Sequence, residues 1–346
     1  MGITLIVNAG SSSLKLQLFN QAAECFWKSS INWSPQDQTI GDLQKLFSER
    51  LAAHVAMNQI DAVGHRIVHG GDNFDSAVVI DVRVKAKLLQ LRRLAPLHNG
   101  AALNAIEALE LLLPGVWQAA AFDTSFHRNL PVEASTYAIP LDWRQRGLHR
   151  FGFHGLSHGA IARRFPKHKL ISAHLGAGCS LSVIQNGRCI DTTMGYTPLD
   201  GLVMASRSGS VDPGILLELL AQGVSAAELG EGLQQRSGLL GLSGRSGDMR
   251  ELRKLGMAGN ADANLAIAVF QQQLLKAIGA GIALLGGLDV LALTGGIGEH
   301  DHFLQQWLTE RLQLLGKAKI EIISTNEELE IYQQITALRL QPNKSA

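Results

Sequence analysis

Along the chain, apolar positions fall into three patterns: short unbroken runs, strict alternation, and the spacing of one helix face. Residues 3–7 form an apolar run of strand length, and Leu14, Leu16 and Leu18 then alternate with Lys15 and Gln17. This predicts two antiparallel strands joined at Gly10-Ser11-Ser12-Ser13. Leu43, Leu46, Phe47, Leu51 and Val55 predict a helix over 40–57. A second helix is expected over 84–93, stopped before Pro96. A third is expected over 100–113, capped by Asn99 and ended by Pro114-Gly115. Residues 116–122 read as an apolar strand. Residues 169–174 and the alternating Leu181 and Val183 read as two more strands, the second turning at Asn186-Gly187. A helix opens near Pro213. Residues 261–285 form a long, mostly apolar helix, expected to be buried and to offer a subunit interface. Residues 290–293 and 320–323 are short strands. Thr325 reads as the N-cap of a last helix with Glu328 as its capping-box partner, which leaves Glu327 free.

One arrangement occurs twice. A strand, a turn of small residues and a second strand appear around Gly10–Ser13 and again around Gly176-Ala177-Gly178. Turns of this size can point successive N–H groups at an anion, so both are candidate phosphate cradles, and their recurrence suggests two related halves. Length agrees, since 346 residues suit two domains. Charge removes other classes: 31 basic against 30 acidic residues leave no field of one sign, so neither nucleic acid nor a membrane surface is the expected partner. Three scattered cysteines suit neither a disulfide framework nor a zinc site. The first residues lack a signal-peptide pattern, and Gly or charge interrupts the longer apolar stretches, so a cytoplasmic protein without a membrane helix is expected.

Several short motifs carry the candidate chemistry. His65-Arg66-Ile67-Val68-His69-Gly70-Gly71 places an arginine among apolar residues beside a double glycine. Arg66 is either a solvated charge or a fixed guanidinium facing an anion. His98 is either an anion contact or a packing residue. Asp123 ends the apolar strand over 116–122, where α/β sheets place ligand groups, although taken alone a turn or cap role explains it better. His154 and His158 would share a helix face, but there is no intervening glutamate of the H-E-x-x-H kind and no evident third ligand, which disfavours zinc. Arg207 lies in a loop of small residues. Gly295-Gly296-Ile297-Gly298 follows a strand and could support a nucleotide.

Taken together and in order, these motifs resemble the acetate kinase family of acetate and propionate kinases. The resemblance rests on Asn8-Ala9-Gly10-Ser11-Ser12-Ser13-Leu14-Lys15, the Arg66 motif, Ala95-Pro96-Leu97-His98-Asn99, Phe122-Asp123-Thr124-Ser125-Phe126-His127, Gly152-Phe153-His154-Gly155, His174-Leu175-Gly176, Gly295-Gly296-Ile297-Gly298-Glu299 and Thr325-Asn326-Glu327-Glu328. It implies an α/β fold of the actin, Hsp70 and sugar-kinase type: a duplicated βββαβαβα unit whose two domains close on ATP, in a homodimer. The expected domains are 1–140, completed by a helix at 325–340, and 141–324. The implied reaction is reversible phosphoryl transfer from ATP to acetate, giving acetyl phosphate and ADP, with Mg2+ or Mn2+.

By the same resemblance, Arg66, Asp123, His154 and Arg207 are catalytic. Asp123 is expected to orient Arg66 or a metal-bound water rather than take a proton, because acetate is already ionised. Asn8 and Glu327 match the magnesium ligands. Lys15, His174, Leu175, Gly176, Ala177, Gly178, Asp248, Met249, Arg250, Gly296, Ile297, Gly298, Glu299 and His300 match nucleotide contacts. Arg66, Val68, Leu97, Phe153 and Pro198 match the substrate pocket, where valine at 68 favours acetate over propionate. Ala177, His300 and Ser210 depart from the usual family residues (Asn, Asn and Asp), which bears on donor binding. Alternative readings are a kinase for propionate or another short acid, a non-ATP donor, and a nucleotide-binding relative without turnover. A dinucleotide oxidoreductase is disfavoured because no G-x-G-x-x-G follows the first strand.

Overall fold

The computed structural model describes residues 2–10, 13–33, 38–92, 96–313 and 318–341, without the side chains of 96–98. It divides into two compact units: Met1–Arg128 with Gly155–Ser157 and Asn326–Ala346, and Asn129–His154 with His158–Thr325.

The first unit is built on β1 (Ile3–Ala9), β2 (Ser13–Phe19), β3 (Cys25–Asn32), β4 (Ile60–Ile67), β5 (Val78–Val79) and β6 (Trp117–Phe122), in the order β3-β2-β1-β4-β6-β5. The second is built on β7 (Lys169–Leu175), β8 (Cys179–Gln185), β9 (Arg188–Thr192), β10 (Val290–Thr294) and β11 (Lys319–Ile322), in the order β11-β10-β7-β8-β9. Both follow one plan. An antiparallel meander of three strands opens each sheet, and its first strand then pairs in parallel with a later strand, which pairs in parallel with another. The duplication inferred from one repeated hairpin therefore extends through the whole sheet, apart from the added edge strand β5.

Unbroken apolar runs make the parallel strands, because both faces of such a strand are covered. In the first unit, Leu5, Val7, Leu14 and Leu16 pack with Leu43, Phe47, Ala105 and Leu109 from the helices Ile40–Ala52 and Pro96–Leu112. Ile6, Ala119 and Ala121 pack instead with Ile331, Tyr332 and Ile335 of the helix Glu327–Leu340. Gly64 makes that second contact close: a Cβ there would lie 2.6 Å from Ile335 Cδ1 and 2.7 Å from Ile6 Cδ1.

Three local expectations change. The helix expected over 40–57 ends at Ala52 and starts with a Thr39–Asp42 capping box. The helix expected to start after Asn99 begins at Pro96. Asn99 is instead buried and clasps the His69 backbone, accepting from its N–H at 3.2 Å and donating to its carbonyl at 2.9 Å. The helix Ala261–Leu285 is long and apolar enough to cross a membrane by length and composition. It is not buried all round: Ala263, Ala266, Ile267, Phe270, Leu274, Ile278 and Gly281 form one buried stripe, while Leu265 and Leu284 are exposed. A Cβ on Gly281 would lie 3.0 Å from both Ile171 and Val183, which shows how closely this face meets β7 and β8.

The division after Arg128, rather than near 140, has a physical origin. The Phe151 N–H donates to the Gly195 carbonyl, Arg150 Nη1 donates to the carbonyls of Thr192, Thr193 and Met194, and the Tyr196 N–H donates to Tyr137 Oη. These bonds tie residues 137–151 to the second unit.

Candidate active site

In the first unit, parallel strands bring three functional groups to their C-terminal ends, the usual position for ligands in such sheets, and a helix adds a fourth. Asn8 stands near the end of β1, Arg66 near the end of β4, and Asp123 directly after β6, its N–H bonded to the Ile67 carbonyl at 3.0 Å. The fourth group enters from the start of the helix Glu327–Leu340. Arg66 Nη2 donates to Asp123 Oδ2 at 2.6 Å and Nε reaches both Asp123 oxygens at 3.1 and 3.2 Å. Nη1 donates to Asn8 Oδ1 at 3.0 Å and lies 3.5 Å from Glu327 Oε2. The Asn8 amide then donates to Glu328 Oε1 at 2.8 Å and Glu327 Oε2 at 3.3 Å.

Asp123 is 1% exposed, and burial raises its carboxyl to about 6, with Glu327 adding to the rise and Arg66 opposing it. Burial alone would weaken the Arg66 charge, but Asp123, Glu327 and Glu328 hold the guanidinium above its ordinary range. Charge-assisted pairing of this kind fixes a planar group in one orientation.

Glu328 does not close a capping box with Thr325. The helix is capped by Asn326, which accepts from the Leu329 N–H at 2.9 Å. Glu328 instead turns inward to Asn8, Gln17 Nε2 at 3.4 Å and Lys15 Nζ at 3.8 Å. Lys15, expected at the nucleotide, is thus at the edge of this acidic group. The first glycine turn closes with the Gly10 N–H donating to the Ser13 carbonyl at 2.8 Å. Ser11 and Ser12, on which the first phosphate cradle depends, lie outside the described residues, as does the side chain of the pocket candidate Leu97. Val68 is buried immediately after β4.

The second unit collects the remaining groups around Gly178, in the turn between β7 and β8. A Cβ on Gly178 would lie 3.3 Å from His154 Nε2 and 3.7 Å from Arg207 Nη1, so these two side chains border the same backbone. His154 has a left-handed φ of 55° at the start of the helix Gly155–Arg164. Non-glycine residues held in this region cluster at functional sites. Its ring stacks on His174, with centroids 4.3 Å apart, and its Nδ1 lies 2.8 Å from Ser180 Oγ. Phe153, beside it, is buried, and Pro198 is half-buried.

The third glycine run abuts the same turn. A Cβ on Gly176 would lie 3.8 Å from Gly296 N, while Gly296 itself faces open space. The constrained residue is Gly295, whose φ is 79° and whose Cβ would meet the Leu175 backbone at 2.7 Å. Glu299 braces this run: its Oε1 accepts from the N–H groups of Gly295 and Thr325 and from Thr325 Oγ1, at 2.8 to 3.0 Å. Burial would raise its carboxyl, but the Thr325 and Gly295 hydrogen bonds outweigh that and lower it. Thr325, expected as a helix cap, thus belongs to this turn. Gly298 is buried and Ile297 is half-buried.

Other nucleotide candidates divide by burial. Leu175 and Met249 are buried side chains, so only their backbone could meet a ligand. Asp248 caps the helix Met249–Met257 and is paired with Arg250 at 2.6 Å. Ala177 and His300 are exposed, and Ser210 Oγ donates to Asp200 Oδ1 at 2.6 Å. Sequence reasoning missed Ser180, Ser172 and Gln17. It singled out His158 for metal spacing alone, whereas both its ring nitrogens meet serine hydroxyls.

The acetokinase family matches residues 37–330. The chain is 42% identical to an acetate kinase of Nostoc punctiforme over 356 residues, spanning 90% of this chain and 88% of that one. The structure of Porphyromonas gingivalis acetate kinase superposes with a TM-score of 0.87 at 33% identity, covering 98% of this chain and all of that one. A propionate kinase from Francisella tularensis superposes with a TM-score of 0.89 at 33% identity, covering 96% and 99%.

Proposed function

The chain belongs to the acetokinase family, and from this premise we propose that it transfers a phosphoryl group reversibly between ATP and acetate. One observation carries the reading beyond family membership: the way Arg66 is held. Of the five N–H groups of a guanidinium, Nε–H and one on Nη2 go to Asp123 and one on Nη1 goes to Asn8. One N–H remains on Nη2, and the second on Nη1 faces Glu327 only at 3.5 Å, so the fork can still present two donors to a substrate carboxylate.

The chemistry needs little else from Asp123. An ionised acetate oxygen forms a bond to the γ-phosphorus while the bond from phosphorus to the ADP oxygen breaks, so no proton leaves the nucleophile. Catalysis then rests on alignment and on cancelling charge at the phosphoryl oxygens. Asp123 engages Arg66 through both oxygens, which supports positioning rather than proton transfer. His154 and Arg207 are the donors proposed for the phosphoryl group, with Gly178 leaving room beside both. The backbone of Gly176–Gly178 and Gly295–Gly298 is the proposed nucleotide contact, and Lys15 a further phosphate contact.

Asp123, Glu327 and Glu328 are hard oxygen donors, and they suit Mg2+. Among the described residues, no three His, Cys, Asp or Glu side chains make a ready metal cage. Mg2+ keeps waters and binds largely through substrate phosphates. Glu327 would hold it. Asn8 has its oxygen turned to Arg66 and its amide to the glutamates, so it would act on the site by fixing Glu327 and Glu328. When bound, Mg2+ or Mn2+ would neutralise charge on the nucleotide phosphates.

A homodimer in the cytoplasm belongs to the same proposal. Ile215, Leu217 and Leu220, exposed on the helix Pro213–Ala221, support the dimer, and sedimentation checks it. The activity is tested by trapping acetyl phosphate as a hydroxamate from acetate, ATP and Mg2+, and by forming ATP from acetyl phosphate and ADP. Absence of both reactions overturns the proposal. The likeness to a propionate kinase favours one second reading, which a higher kcat/KM for propionate than for acetate would establish.

A further inference from the structure

Behind His154 runs a chain of three side chains, all of them fully buried. Ser180 Oγ lies 2.8 Å from His154 Nδ1 and 2.8 Å from His158 Nε2, and His158 Nδ1 lies 2.8 Å from Ser172 Oγ. Ser172, Ser180 and His158 are all 0% exposed. Proton accounting gives this chain a direction. A hydroxyl has one proton to donate, and a neutral imidazole carries one N–H and one bare nitrogen. Among the described residues, the acceptor within reach of the Ser172 hydroxyl is His158 Nδ1. A buried hydroxyl that donates to nothing is costly, so Ser172 donates to Nδ1. His158 then carries its proton on Nε2 and donates it to Ser180 Oγ. The Ser180 hydroxyl is left to donate to His154 Nδ1, which places the His154 proton on Nε2, the nitrogen beside Gly178 and Arg207 Nη1.

We propose that Ser180 and His158 are positioning residues that hold His154 neutral with its proton on Nε2, ready to donate to a phosphoryl oxygen. The neighbourhood favours the neutral ring. Arg207 Nη1 borders the same Gly178 backbone as His154 Nε2, and a neighbouring cation disfavours a second positive charge on the ring. The left-handed backbone of His154 gains a purpose, because it sets the ring against Ser180 on β8 while the helix that follows carries His158 to the same hydroxyl. The outer partner of a working imidazole commonly fixes its tautomer in this way.

The role of the donated proton rests on the proposed kinase reaction, whereas the tautomer does not. Nitrogen-15 spectra of the ligand-free protein at neutral pH should show His154 with a protonated Nε2 and a bare Nδ1. A proton on Nδ1, or on both nitrogens, overturns the proposal whichever acid the enzyme phosphorylates. In Ser180→Ala, His154 should become a mixture of tautomers. Its kcat should fall roughly tenfold or more, with KM for acetate and for ATP within about twofold of wild type. Ser180→Thr, which restores the hydroxyl, should recover most of the loss. Unchanged kcat in Ser180→Ala, or a loss that Thr does not rescue in a folded protein, refutes the positioning role. If Ser180→Ala does not fold, the wild-type spectrum decides.

Discussion

Arg66 faces more negative charge than one cation balances. Asp123, Glu327 and Glu328 all act on it, and Lys15 is the further cation at their edge. The surplus suits a site awaiting a cation with its substrate. Arg66→Lys keeps the charge but loses the planar fork. Its kcat should fall by at least ~100-fold, the scale of losing a transition-state donor, while circular dichroism stays native. Near-normal turnover would remove Arg66 from the mechanism. Asp123 titrates at about 6 because burial and Glu327 raise it. Activity should therefore be full above that value and fall as pH drops through it, when the protonated Asp123 lets Arg66 go. A kcat/KM profile flat from pH 7 to 5 would contradict this. His65 shows the opposite sign for stability. Burial lowers it from 6.5 to about 4 in the folded chain. The unfolded chain therefore takes up the proton first on acidification, and up to about 3 kcal/mol of stability is lost between those two values. Melting temperatures from pH 7 to 4 should fall less steeply in His65→Gln. The proposed pocket role of Val68 is tested by substrate choice. Val68→Ala should raise the kcat/KM ratio of propionate to acetate about tenfold, the worth of a methylene in an apolar pocket.

At the scale of elements, what could be foreseen depended on whether partners were local. The two hairpins were legible because alternation fixes which face each strand buries, as the Val7–Leu16 and Ala173–Leu181 pairings show. Glu328 was not. Thr325 and Glu328 satisfy a capping-box pattern, yet the glutamate finds Asn8, 320 positions away, and Thr325 joins Glu299 and Gly295. His158 and Ser180 meet across 22 positions, so no local spacing betrays the hydroxyl between the two histidines. Asn99 fails as a cap for the same reason, since the His69 backbone 30 positions away claims its amide. Polar residues with several possible partners are settled by tertiary contact, whereas apolar periodicity is settled by the element itself. Gly64 joins the two regimes. It lies inside β4, where its lack of a side chain admits Ile335 of the helix Glu327–Leu340. Gly64→Ala should destabilise the protein by about 1–3 kcal/mol through overpacking, measured by urea unfolding. It should also lower kcat, because the displaced helix carries Glu327 and Glu328.

The whole molecule repeats one sheet plan twice, and the segment after the second copy returns to the first unit. After β11, the helix Glu327–Leu340 joins the first unit. It covers the sheet face made by Ile6, Ala119 and Ala121, and brings two buried glutamates to Asn8 and Arg66. The first unit is therefore complete only once the helix Glu327–Leu340 has been made. The sequence showed the repeat as one hairpin in each half, because β3 has no fully buried residue and places Phe26 beside Trp27, which hides its alternation. This closure predicts an asymmetric response to truncation. A chain ending at Thr325 loses Ile331, Tyr332 and Ile335 from one face of the first sheet, and loses two acids beside Arg66. The second unit keeps all five of its strands and the buried stripe of Ala261–Leu285. Hydrogen exchange should then show protection collapsing in β1, β4 and β6 while β7, β8 and β10 stay protected, with phosphoryl transfer abolished. Equal loss of protection in both sheets would mean that the units fold as one cooperative body. Unchanged protection in β1 and β4 would mean that the last helix contributes its glutamates to the site but nothing to the core.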